Sequence, residues 1–242
     1  MKVIKLDAID STNDFLKRLL INQSVENFTI VTAENQTKGK GQMGSVWNSE
    51  IGKNLIMSIL IKNFIIDINQ LFHLNIVVSI SVMEALEAVN IPELAIKWPN
   101  DIMSGNKKIG GILIENSIKS NGEIFSIVGL GLNINQFDFQ HLPKASSLAI
   151  VCNRNFDKEE LLFSITKKIQ QNIELWNLKS NMMWDNYTTR LFKKGIPFPF
   201  QDNANQIFMG IIQGISSFGK LQILLENDAI VEFDSKEIQF LY

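Results

Sequence analysis

The sequence has a single cysteine, Cys152, so no disulfide can form within the chain. It also lacks a dominant sign of charge: 23 Lys and Arg stand against 25 Asp and Glu, a formal net charge of -2. That balance argues against a nucleic-acid surface and leaves room only for a local basic site. Asp7 and Asp10 stand where a secretory signal would carry its apolar centre. The longest apolar runs, such as "NLIMSILI" and "NIVVSISVMEAL", are broken by polar residues and read as too short to span a bilayer. The sequons "NQS", "NFT", "NQT" and "NYT" then count as chance in an Asn-rich chain, and the expected location is the cytoplasm. There is no internal repeat and no low-complexity tract.

What is present is a globular composition, 45% hydrophobic and 20% charged over 242 residues. That length suits one large domain, or one domain with a small appendage. Ser11 and Asp14 form an S/T-x-x-D helix start, followed by Phe15, Leu16, Leu19 and Leu20 on one helical face. "FTIVTAEN" and "NLIMSILIK" read as strands, and residues 67–90 as a buried helix through Met83, Leu86 and Val89. "LAIKWPND" reads as a short strand stopped by Pro99. "KKIGGILIENSI" and "EIFSIVGLGLNI" are two more, joined by "KSNG", whose Asn-Gly is a hairpin signal. "FDKEELLFSITKKIQQNIELWNL" predicts a helix, with a shorter one through Trp184 to Phe192. From Gly195 the texture changes to short strands and tight turns. That predicts a small β-barrel or sheet of roughly fifty residues, near the size at which a lone core is marginal.

"TKGKGQMGSVW", residues 37–47, spells G-x-G-x-x-G-x-V. A dinucleotide fingerprint needs a helix opening at the third glycine, but Gly44 runs into more loop and then a strand. A kinase loop needs H-R-D and D-F-G, and neither is present; "AIK" ending at Lys97 lies too far along the chain. "GISSFGKL" from Gly214 matches a P-loop but ends in Leu221, where a metal-binding hydroxyl is needed, and reads as a hairpin turn. What survives is three glycines that bring backbone N–H groups near an anion, with Lys38 and Lys40 adding charge. A solvated surface loop fits the stretch alone equally well.

Four other segments combine with the loop: "DSTN" from Asp10, "KWPND" from Lys97, "KKIGGILIE" from Lys107 and "GLGLNIN" from Gly129. Each singly has a plain structural reading: Trp98 as core, Lys97 and Asp101 as a solvated ion pair, Gly110 and Gly111 as a bulge, Asn133 as a turn residue. Together, in this order, they resemble the biotin–protein ligase family over nearly the whole chain. The resemblance implies an α+β fold, with a mixed β-sheet catalytic domain flanked by helices over residues 1–190. An SH3-like β-barrel would follow over residues 191–242. "DSTN" begins at residue 10, so the form expected is the monofunctional one, without the winged helix-turn-helix of the family's repressors.

The activity implied is ATP-dependent biotinylation of a lysine on a biotin carboxyl-carrier domain, through biotinyl-5'-AMP, with Mg²⁺ as cofactor. Carried over by position, Ser11, Thr12 and Gln36 would hydrogen-bond biotin's ureido ring, Asn13 would also bind biotin, and Gly39, Lys40 and Gly41 would close over carboxylate and phosphate. Lys108 would bridge biotin's carboxylate and the α-phosphate, and Lys40 and Asp101 would share the catalytic work. Gly110, Gly111, Gly129 and Gly131 would leave room for ligands. Gln42, Trp47, Asn100, Asp101 and Asn133 would serve ATP, with Asp101 on the metal. The implied partners are the carrier domain and neither DNA nor membrane, with a homodimer left open. Where arginine-rich relatives read G-R-G-R-x-G-R, this loop offers lysine point charges, which implies weaker retention of the adenylate. Two rivals stay open: a lipoate or octanoate ligase or transferase of the same superfamily, and a non-catalytic binding module. Cys152 lies away from every glycine motif and reads as a small buried hydrophobe.

Overall fold

A computed structural model describes residues 1–119 and 122–242. Strand β1 (Val3–Ile9) leads into α1 (Thr12–Asn22), β2 (Ile30–Gln36), β3 (Leu55–Lys62) and α2 (Leu71–Ala88). Then come β4 (Leu94–Lys97), β5 (Asp101–Ser104), β6 (Lys107–Ile118), β7 (Ile124–Leu132), α3 (Leu148–Cys152) and α4 (Lys158–Thr189). The chain ends in β8 (Pro197–Asp202), β9 (Ile207–Ile215), β10 (Leu221–Leu225), β11 (Ile230–Phe233) and β12 (Ile238–Phe240).

Seven strands form one sheet in the order β1-β2-β3-β7-β6-β5-β4. Only β1 and β2 run parallel, with α1 as their crossover; every other neighbour is antiparallel, so the sheet is mixed. Alternation along the strands sorts two layers. Ile30, Ile59, Ile61 and Val128 face α2 and α4 in the main core. Val31, Leu60 and Ile127 face α1 and meet Leu16 and Val25. Each such side chain fully withdrawn from water contributes about 1.5–3 kcal/mol against the cost of ordering the chain.

The remaining five strands form an antiparallel sheet in the order β11-β10-β9-β8-β12. The pairings leave this order open, so it is a sheet of the expected kind without the closure of a barrel. Phe198, Phe200, Ile212, Leu221, Ile223 and Phe240 join the same core as α2 and α4. Ser216–Lys220, within the P-loop look-alike, closes the β9–β10 hairpin, as expected.

Several expectations are corrected. The segments read as two helices after Asp157 form the single helix α4 of 32 residues. No Gly or Pro interrupts it, and Ile173, Trp176, Trp184 and Tyr187 keep one face apolar across the polar "NLKSN". "GIPFPF", read as punctuation, is largely β8, which alternates exposed Pro197 with buried Phe198 and Phe200. The run "NIVVSISVMEAL", read as too short for a bilayer, lies within Ile68–Ala88, which is long and apolar enough by length and composition, but 67% of its most apolar 18 residues is buried. Of the "KSNG" hairpin signal, Ser120 and Asn121 lie outside the described residues, while β6 and β7 pair up to Ile118–Ile124.

Candidate active site

The sheet register places the site. Lys97, Asp101, Gly111, Gly131 and Ile56 lie opposite one another across β4, β5, β6, β7 and β3. The next row on that face is Leu113, Gly129 and Ser58, and the one after it Glu115, Ile127 and Leu60. Leu60 and Ile127 pack under α1, so all three rows face the α1 side. The glycines leave a trough there, and the loop 37–54, α1 and the tail sheet wall it in. The result is a cavity of about 370 Å³.

One end is a network of amides and hydroxyls. Ser11 caps α1 by accepting the Asp14 N–H, which fixes residues 11–13 at the cavity wall. Thr12 donates its N–H at 2.7 Å and its hydroxyl at 3.0 Å to Gln36 Oε1. Ser58 Oγ lies 2.7 Å from Thr12 Oγ1 and 2.5 Å from Asn13 Oδ1. Asn13 Nδ2 donates to Glu115 Oε2 at 2.7 Å, and the other Glu115 oxygen holds Lys17 Nζ at 2.5 Å.

The other end is charged. β6 carries an extra residue opposite Ile102 and Met103, a bulge that breaks the alternation at Lys108. Lys108 Nζ thereby reaches Asp101 Oδ1 at 2.6 Å, and Lys97 Nζ lies 3.6 Å from Asp101 Oδ2. The Lys97 ammonium also stands 5.5 Å from the Phe240 ring and 5.2 Å from the Tyr242 ring, within cation–π range. Burial, with Asp101's charge adding, pushes the Tyr242 phenol above its usual range. Asn100 donates its amide to the Ile112 carbonyl at 2.6 Å, which leaves Oδ1 as an acceptor. Asp101 is the one carboxylate among the residues lining the cavity, and no cluster of three metal-ligating side chains occurs among the described residues.

The glycine loop forms a small hairpin, bridged at Lys40 and Val46 and tipped by a 3-10 turn at Gln42–Gly44. The Gly41 and Trp47 N–H groups bond the Ser45 and Gly39 carbonyls within the loop, so these two are not offered to an anion. Lys40 pairs with Asp14 at 2.6 Å, a hydrogen bond that raises its pKa. The Trp47 indole leans onto the trough over Gly131, with Lys108 Nζ 5.7 Å from its ring, and its buried Nε1–H has no partner among the described residues.

Of the residues expected at the site, Ser11, Thr12, Asn13, Gln36, Lys40, Gly41, Gln42, Trp47, Asn100, Asp101, Lys108, Gly111, Gly129 and Gly131 line the cavity. Gly39, Gly110 and Asn133 do not. Gly39 is buried in the stem of the loop, and Gly110 packs beside Leu132 on the opposite face of the sheet. Asn133 donates its amide to the Ser146 carbonyl and is 5% exposed, so it anchors the segment that follows β7. Trp98 donates its indole N–H to the Gly219 carbonyl of the β9–β10 turn. Lys97 and the tail residues Ser235, Ile238, Gln239 and Phe240 also line the cavity and were not expected there. Ser58 stood out in the sequence as the one polar residue inside "LIMSILI".

A family model described as the biotin/lipoate A/B protein ligase family matches residues 6–135. The chain belongs to this family. The bifunctional ligase/repressor BirA of Bacillus spizizenii is 30% identical over 246 residues, covering 98% of this chain and 73% of that protein. The biotin–[acetyl-CoA-carboxylase] ligase of Mycobacterium tuberculosis is 25% identical over 87% of this chain and 79% of its own. Among solved structures, biotin protein ligase from Aquifex aeolicus in complex with biotin and ATP superposes with a TM-score of 0.82 at 28% identity. That match covers 99% of this chain and 98% of the other. In this ligase-family chain the matched region holds both ends of the cavity.

Proposed function

We propose that this chain is a biotin–protein ligase that uses ATP to attach biotin to a lysine of a carrier domain. The observation that carries the reading is one trough with a hydrogen-bonding end at Thr12, Asn13 and Gln36 and a cationic end at Lys108, Lys97 and Asp101. A ligand with a polar head, an apolar middle and an anionic tail fits it, and the relatives named for biotin supply the chemical class. Residues 1–190 form the catalytic part in this reading, and residues 191–242 add a wall to the anionic end.

In the first step a biotin carboxylate oxygen attacks the α-phosphorus of ATP. The bond from that phosphorus to the pyrophosphate leaving group breaks. Bringing two anions together is the difficulty, and fixed positive charge lowers it most when already in place. Lys108, held on Asp101, supplies that charge between carboxylate and α-phosphate, and Lys40 moves from Asp14 to close the loop over the pair. Asp101 and Asn100 Oδ1 are the hard oxygens that would hold Mg²⁺, which would screen phosphate charge. Gln42 and Trp47 cover the nucleotide from the loop, Gly39 and Gly41 let the loop fold tightly, and Asn133 steadies the segment beside Lys108. In the second step the carrier lysine's amine attacks the acyl carbon, AMP leaves with the acyl–oxygen bonding pair, and the amine loses a proton.

Pyrophosphate exchange into ATP, with biotin, lipoate or octanoate supplied in turn, tests the reading. Exchange with biotin alone supports it; exchange with lipoate or octanoate moves the chain to the sister activity. No exchange with any of them, in folded protein, overturns the enzymatic assignment. Lys108→Ala should lower the turnover of biotin-dependent exchange about 100- to 1,000-fold.

A further inference from the structure

The two amides at the polar end are locked in opposite senses. The Thr12 backbone N–H can only donate, so the Gln36 atom facing it is the carbonyl oxygen. Gln36 Nε2 has no acceptor among the described residues and is left to donate into the cavity, whose wall Gln36 forms. At Asn13 the logic reverses. The Glu115 carboxylate can only accept, so the Asn13 atom facing it is Nδ2, and Oδ1 turns to Ser58 and Gly129. The second Glu115 oxygen accepts from Lys17 Nζ at 2.5 Å, so both carboxylate oxygens are engaged. Gly129 also lines the cavity, and a methyl there would stand 2.7 Å from Asn13 Oδ1, so space is kept clear beside this oxygen.

We propose that Glu115 is a specificity-determining positioning residue: by fixing Asn13 as an acceptor opposite the donor Gln36, it makes this end of the cavity read a cyclic urea. A urea ring presents N–H donors flanking a carbonyl acceptor, and a donor–acceptor pair of amides complements that pattern. A dithiolane or a plain alkyl chain presents neither, and would leave Gln36 Nε2 without a partner and Asn13 Oδ1 with the Ser58 hydroxyl alone, which is how a polar site rejects an apolar ligand. The inference deepens the biotin reading and rests on it. Glu115 lies 102 residues from Asn13 and reaches it because the row of Glu115, Ile127 and Leu60 runs under α1.

The test is the biotin dependence of pyrophosphate exchange in three proteins: the unaltered chain, Glu115→Gln, and Glu115→Gln with Asn13→Asp. In the single variant the introduced glutamine can face Asn13 with either its oxygen or its nitrogen, so Asn13 is free to turn over. The KM for biotin should then rise about tenfold, the cost of one misdirected buried hydrogen bond, while the KM for ATP and kcat stay within about twofold. In the double variant the carboxylate introduced on α1 can only accept, and the amide introduced on β6 donates to it. The acceptor is restored, and the KM for biotin should return to within about threefold of the starting value. A purely structural role for Glu115 would instead shift kcat and the KM for ATP along with the KM for biotin in the single variant. An unchanged KM for biotin in folded Glu115→Gln, or a double variant worse than the single, overturns the proposal. If Glu115→Gln does not fold, Asn13→Ala removes the acceptor through which Glu115 acts, and an unchanged KM for biotin there overturns the proposal equally. Absence of exchange in the unaltered chain instead overturns the parent reading, and this inference with it.

Discussion

A methyl group at position 131 would stand 2.4 Å from Trp47 Cε2, 2.6 Å from Cζ2 and 2.9 Å from Cδ2. Ordinary carbon contacts lie near about 3.5–4.0 Å, so Gly131→Ala requires the indole to lift by about 1 Å. Lifting is resisted because the Trp47 N–H is bonded to the Gly39 carbonyl at 3.0 Å in the stem of the loop hairpin. Gly131 itself sits in the middle of β7, paired with Gly111 and Ile56, and cannot retreat. Overpacking of this kind costs about 1–3 kcal/mol, or roughly 5- to 150-fold in an equilibrium constant. Here the cost falls on the seat of Trp47 over the trough, so the KM values for biotin and ATP should rise together while thermal stability changes little. The assay is biotin-dependent pyrophosphate exchange, run as a double-mutant cycle with Trp47→Ala. Removal of the indole should abolish most of the penalty of Gly131→Ala, a coupling of at least about 0.5 kcal/mol. Strictly additive effects would refute the argument, because they would mean that the methyl meets ligand or floor and not Trp47.

Other consequences are read elsewhere on the molecule. The Asp10 carboxyl accepts two hydrogen bonds from Arg18 and one from the Ser11 N–H, and the Arg18 bond chiefly depresses its pKa to about 2. Since the folded pKa lies below the unfolded value of about 3.9, this contribution to stability is complete above that pH and is lost as pH falls towards 2. Arg18→Met should therefore lower Tm by a constant amount near neutrality, with the gap closing in acid; a gap that widened in acid would show the sign to be wrong. At the C-terminus, Tyr242→Leu removes one ring facing Lys97, and Tyr242→Phe keeps it. A contact of this kind is worth about 0.5–1 kcal/mol, so the KM for ATP should rise about two- to fivefold in the leucine variant only. Equal KM values in the two variants would remove the ring from the account of the anionic end. Tyr187→Phe deletes the hydroxyl that donates to the Pro99 carbonyl at 3.0 Å in the core. The carbonyl keeps its bond from Asn75, so the loss in unfolding free energy should be about 1 kcal/mol; no loss in denaturant titrations would mean that the hydroxyl bond contributes nothing.

Local pattern was enough for much of this molecule. Ser11 and Asp14 announce α1 because a capping hydroxyl and the turn it closes are three residues apart. β3 and α2 are apolar enough to name themselves, and the lysines, glycines and Asp101 of the site sit in short motifs whose order resembles one family. Strands β1, β5, β8 and β12 were not legible. Each is short, polar or proline-bearing, and exists because a neighbour supplies its hydrogen bonds. The break expected in α4 was a false reading for the converse reason: "NLKSN" is polar, but the apolar face on either side carries the helix through it.

The sequence by itself therefore determined the kinds of group available: amides and hydroxyls at one helix start, lysines and one carboxylate in two motifs, glycines on two strands. Tertiary structure alone decided which of them meet. Asp101 stands beside Lys108 because a bulge in β6 shifts the alternation at that residue, and Lys97 joins them because β4 pairs with β5. Glu115 governs Asn13, and the last strand of the tail reaches the cavity, through contacts more than a hundred residues apart in the chain. Such contacts leave no periodic trace, because the free energy that fixes them comes from packing whole layers together and not from the preferences of neighbouring residues.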